Sequence, residues 1–116
     1  MYKVTYSLEA ENDIQQFISY LRTYFEDFYS NTWIDNIKLI IDSYNEWLWK
    51  LYDTIKSKIY YTASGGLLGC KILSKNNHFE NCKNIVLIRR FRFVIESRKY
   101  DFEKIVYIEK ITYSTF

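Results

Sequence analysis

Proline is absent from the 116 residues, and glycine occurs only at positions 65, 66 and 69. Backbone punctuation therefore concentrates in one stretch. The run Gly65–Gly66–Leu67–Leu68–Gly69 lacks the Lys and Ser/Thr of a phosphate-binding loop, so it reads as a turn. Histidine occurs once, as His78, and cysteine twice, as Cys70 and Cys82. A zinc site needs four ligands at tight spacing, and these three residues do not supply them, so neither metal nor cofactor is expected. A single imidazole in a loop also gives little basis for a Ser–His–Asp or Cys–His catalytic pair. No apolar run approaches the roughly 18 residues of a membrane span, and no basic segment followed by an apolar stretch opens the chain. No membrane partner is expected, and the chain reads as cytoplasmic. Its two cysteines then read as reduced thiols, which would be free to pair only if the protein were exported.

What is abundant is aromatic and apolar. Aromatic residues make up 20% of the chain, with twelve Tyr, eight Phe and three Trp, so some rings are expected at the surface as well as in the core. Apolar residues reach 48%, which excludes disorder, and the length suits one domain over residues 1–116. Net charge is only +2, but it is unevenly spread: residues 1–57 carry −4, while 58–83 and 84–116 each carry +3. A basic C-terminal half suits an anionic partner such as nucleic acid. Packing of one half of the molecule against the other would explain the asymmetry equally well.

The opening MYKVTYS alternates Tyr2, Val4 and Tyr6 with Lys3, Thr5 and Ser7, which is a strand pattern. The period then changes. Ile14, Phe17, Ile18, Leu21 and Phe25 mark one face of a helix, with Ser7 placed to cap it and Glu9, Glu11 and Asp13 suiting its dipole. The stretch Asp27–Asn31 is expected to break this helix, and Ser30 or Asn31 to cap a second one. The second helix carries a stripe from Trp33 through Ile37, Ile41, Tyr44, Leu48 and Leu51 to Ile55, with Trp47 widening it and Trp49 lying off it. An exposed Trp49 suits a partner site, and core packing on a wide face is the plainer alternative. Residues 59–84 read largely as loop, with Lys71–Leu73 a short strand at most. Three strands follow, over Ile85–Ile88, Phe91–Glu96 and Ile105–Tyr113, with Arg98–Glu103 turning the chain. The expected fold is α+β: an N-terminal strand, two helices, then a three-stranded antiparallel meander with the helices on one sheet face.

The densest basic feature is Arg89–Arg90–Phe91–Arg92, with Arg98 nearby. Alternation puts Arg90, Arg92, Glu96 and Arg98 on one face and Phe91, Phe93 and Ile95 towards the core. A row of guanidinium forks seats phosphates well. A solvated face partly neutralised by Glu96 fits the same pattern.

The opening YKVTYSLEAENDI resembles the start of the RelE/ParE superfamily of toxin–antitoxin toxins, in which the first strand runs straight into a helix. The closing IRRFRFVI and KIVYIEKI resemble the last two strands of that family. The resemblance covers about the first 25 and last 30 residues. It implies that the N-terminal strand pairs into the sheet beneath two helices. It also implies metal-independent cleavage of messenger RNA at the ribosome, and neutralisation by a cognate antitoxin protein. By position, Arg89 or Arg90 matches the family's basic residue and Tyr113 its C-terminal aromatic or imidazole. Arg92, Arg98 and Lys99 would hold RNA phosphates. The family often ends its last strand Ile-x-His-Arg, whereas this chain reads Ile111–Thr112–Tyr113–Ser114. ParE-like members instead poison DNA gyrase without catalysis. A non-toxic binding module on the same fold is the third expectation.

Overall fold

The computed structural model describes residues 1–30, 37–67 and 70–115, with the side chains of 27–30 and 37–41 excepted. The elements are β1 (Lys3–Tyr6), α1 (Leu8–Ser30), α2 (Ile37–Ser64), β2 (Lys71–Lys75), β3 (Glu80–Ile88), β4 (Phe91–Tyr100) and β5 (Ile105–Thr115). They form one sheet in the order β1-β5-β4-β3-β2, and α1 packs on β5. The fold is α+β, as the alternation of periods implies.

β1 lies at the sheet edge and runs parallel to β5, from Lys3 opposite Ile105 to Tyr6 opposite Ile108. It passes into α1 without a linker because Ser7 serves both elements. Its Oγ accepts the Ala10 N–H at 2.9 Å, capping the helix, and donates to the Glu109 carbonyl at 2.6 Å. On α1, Ile14, Phe17, Ile18 and Leu21 are buried, as their spacing dictates. The helix does not break at Asp27 but continues to Ser30, because that stretch contains no proline or glycine to stop it. Ser30 thus closes α1 rather than capping α2. The Asn31 cap and the start of the second stripe at Trp33 lie outside the described residues.

α2 runs antiparallel to α1. Tyr44 Oη donates to the Leu21 carbonyl at 3.2 Å, and Arg22 Nε donates to Asn45 Oδ1 at 3.1 Å. At the other end Lys56 and the Tyr52 hydroxyl both reach the Glu11 carboxylate. The stripe continues past Ile55 to buried Ile59 and Ala63, so residues 59–64 are helix rather than loop. The turn that ends α2 does need glycine. Gly66 N–H donates to the Ala63 carbonyl and Leu67 N–H to the Thr62 carbonyl, with Gly66 at φ 85°. A Cβ on Gly66 would also sit 2.8 Å from the Tyr2 ring.

The antiparallel part of the sheet has four strands rather than three. β2 is a fully exposed edge strand with Lys71 and Lys75 at its ends, a composition that discourages further strand addition. β3 starts at Glu80, opposite Lys99, so β4 runs straight through the expected turn at Arg98 to Tyr100. The turn falls at residues 101–104. Ser97, where the β4–β5 register shifts, is only 2% exposed and lies opposite Cys82. The inward set on β4 and β5 is Phe93, Ile95, Ser97, Val106, Ile108 and Ile111, all buried, and its apolar members share one core with Phe17, Leu48 and Ile55. Burial of this apolar area, worth about 25 cal/mol per Å², is the main force that closes the helices on the sheet.

Candidate functional site

The short β3–β4 hairpin turn consists of Arg89 and Arg90, between the paired residues Ile88 and Phe91. Arg89 has φ 55°, a conformation that hairpin turns ordinarily give to glycine or asparagine. Holding arginine there costs roughly 1–2 kcal/mol. Its guanidinium lies over the Trp47 ring at 5.0 Å, a cation–π contact that ties the turn to α2. Arg90 is exposed at the tip. Arg92 is exposed on the open sheet face, opposite Leu87 on β3 and Ser114 on β5.

Tyr113 stands opposite Phe93 at the same end of the sheet, on the helix side. Its ring meets the edge of Phe17 at 4.7 Å, and Phe17 also meets Phe91 at 4.9 Å and Phe93 at 5.0 Å. This aromatic cluster fixes the Tyr113 ring on one side, while 39% of the residue stays exposed. Arg89, Arg90, Arg92 and Tyr113 therefore gather at one end of the sheet. Among the described residues, none of these three arginines makes an ion pair.

The other two expected phosphate ligands lie elsewhere. Arg98 is six residues along β4 from Arg92, roughly 20 Å away. Its Nε donates to Glu109 Oε1 at 2.8 Å, and bonding to Tyr100 and Glu109 holds its pKa above the ordinary value. Lys99 points to the opposite face, 3.7 Å from the Asp101 carboxylate and over the Tyr2 ring. Tyr2 donates its hydroxyl to Asp101. That hydrogen bond, with some burial, pushes the Tyr2 phenol up to about 12 and holds the Asp101 carboxyl below its usual range. Both cations are thus engaged by carboxylates at the far end.

His78 also belongs to the far end, in the β2–β3 turn, where its backbone N–H donates to Asn76 Oδ1 at 2.7 Å. β3 separates it from Tyr113 by roughly 27 Å, so the one imidazole cannot share chemistry with that tyrosine. Cys70 and Cys82 are free thiols. Burial, reinforced by the adjacent Cys70 thiol, pushes Cys82 up to about 12, which makes it a poor nucleophile. No group of three metal-ligating side chains occurs among the described residues, and none of the described helices is long and apolar enough to cross a membrane.

Trp47, Phe17 and Tyr20, which orient the arginine turn and Tyr113, carry no signal of that role in the sequence. Trp47 and Phe17 read there only as members of apolar stripes. Chemically, the uncompensated end can bind phosphates with guanidinium forks and carries a phenol at the same end of the sheet. No protein-family model, curated protein or solved structure matches the chain.

Proposed function

We propose that the protein is a toxin of a type II toxin–antitoxin system, of RelE/ParE type, that stops translation by cutting messenger RNA at the ribosome. The observation that carries this reading is the run of Arg89, Arg90 and Arg92, unpaired with any described carboxylate, at the same end of the sheet as a half-exposed Tyr113. Cations left unneutralised at one end of a sheet suit a polyanion. In the reaction, the ribose 2′-oxygen attacks the adjacent phosphorus and its proton leaves to solvent. The bond from phosphorus to the 5′-oxygen then breaks, leaving a 2′,3′-cyclic phosphate and a 5′-hydroxyl. Arg89 and Arg90 stabilise the charge that builds on the phosphoryl oxygens. Tyr113 donates a proton to the departing 5′-oxygen. The protein acts in the cytoplasm, and a cognate antitoxin neutralises it by covering this basic end.

The test is primer extension on a messenger RNA in a reconstituted translation mixture. New 5′ ends that require both the protein and ribosomes are expected. A variant with Arg89, Arg90 and Tyr113 all replaced by alanine should lose them. An intact transcript together with blocked gyrase supercoiling would overturn the nuclease reading in favour of ParE-like gyrase inhibition.

A further inference from the structure

We infer that Tyr20 and Tyr113 form a platform on which bases of single-stranded RNA stack while the arginines at the same end of the sheet hold the phosphates. The inference rests on the RNA-directed reading above and assigns that site a base-binding part. Tyr20 lies on α1, three residues after the buried Phe17 that holds Tyr113. The Tyr20 and Tyr113 ring centroids are 6.2 Å apart, and the planes are tilted by 41°. Sandwiching a base needs roughly 7 Å, two stacking distances of about 3.4 Å. A base therefore stacks on an outer ring face rather than between the rings. Both residues reach solvent, since Tyr20 is 54% and Tyr113 39% exposed.

The topology explains why the rings stay open. β1 covers β5 only from Ile105 to Ile108, so the part of β5 that carries Tyr113 forms the margin of the sheet. Tyr24, one helical turn beyond Tyr20, is exposed too and extends the aromatic row along α1. Charge selects the occupant. Arg90, at the hairpin tip, is exposed and unpaired among the described residues, Arg92 carries its charge on the other face of the same sheet end, and the Asp13 carboxylate is engaged by the Ile111 N–H at 2.9 Å. Rings for bases and cations for phosphates at one end of the sheet are the elements of a single-strand binding surface, and stacking tolerates any base because each has a π face.

The test is fluorescence anisotropy of a labelled ten-nucleotide oligouridine with purified protein, in low salt and without ribosomes. Tyr20→Ala should weaken binding about tenfold. Tyr20→Phe, which keeps the ring, should bind within twofold of wild type. Tyr61→Ala removes a still more exposed tyrosine, on α2, and should change nothing. A self-paired RNA of equal length should bind more weakly, because paired bases cannot reach the rings. Unchanged binding by Tyr20→Ala, equal loss with Tyr61→Ala, or no binding by the wild type would each overturn the platform. The proposed cleavage fails separately: a protein that cuts no messenger RNA but loses oligouridine on Tyr20→Ala keeps the platform and loses the nuclease reading.

Discussion

The two ends of the sheet are built from similar residues and use them in opposite ways. At the end formed by the β4–β5 turn, Lys99 faces Asp101, Arg98 faces Glu109, and the Tyr2 hydroxyl bonds Asp101. Charges there fasten the first strand and the last turn to each other. At the other end, Arg89, Arg90 and Arg92 meet no described carboxylate, one of them adopts a backbone conformation unfavourable to arginine, and aromatic rings hold the neighbouring side chains. Basic residues that are neutralised serve the fold. Basic residues left unneutralised, at a cost in strain and repulsion, point to a ligand.

Phe17→Ala should break the comparison most strongly. It removes the ring that joins Phe91, Phe93 and Tyr113, and should cost about 3–5 kcal/mol in urea unfolding. Loss of the whole aromatic end should follow, with the Tyr2–Asp101 end least affected in hydrogen exchange. Arg89→Gly sharpens the comparison. Glycine suits the turn, so stability should hold or rise by up to about 1 kcal/mol, while ribosome-dependent cleavage should fall about 100-fold or more. A variant that is less stable and still active would show that Arg89 serves the fold.

The third prediction concerns pH. The Tyr2 phenol ordinarily titrates near 10 and is pushed up to about 12, so the native state holds a proton that the unfolded chain releases. Its stabilisation is complete below about pH 10 and is lost as pH rises through about 12. Cys82 adds the same sign of effect between 9 and about 12. Tyr2→Phe should flatten the alkaline fall in melting temperature, leaving the Cys82 part. The smallest effect belongs to the exposed pair of Arg98 and Glu109. A double-mutant cycle with Arg98→Met and Glu109→Gln should give a coupling at the lower limit of measurement, because solvent screens an exposed pair. Arg92→Met should leave stability unchanged, since Arg92 has no ion-pair partner among the described residues.

Much of the fold was legible because burial imposes a period on the sequence. Ile14, Phe17, Ile18 and Leu21 announced α1, and Phe93 and Ile95 announced the inward face of β4. The extension of α2 to Ser64 was hidden because Lys56–Tyr61 mixes charges with rings, and only Ile59 and Ala63 keep the stripe. β2 was hardly legible, since an edge strand exposed on both faces has no burial pattern to display. Of the candidate site, Arg89, Arg90 and Arg92 were legible as a dense basic run. The separation of Arg98 and Lys99 from them was not, because ion pairs with Glu109 and Asp101 depend on strand register and turn position.

By itself the sequence determined the α+β class, the single core, the Ser7 junction between the first strand and α1, and the basic character of the last strands. Each follows from local periodicity or composition, which act between near neighbours in the chain. Only the tertiary structure decided which cations are neutralised, which end of the sheet stays open, and that Tyr20 lies beside Tyr113. Those contacts join residues far apart in sequence, and they exist only once the helices have closed on the sheet.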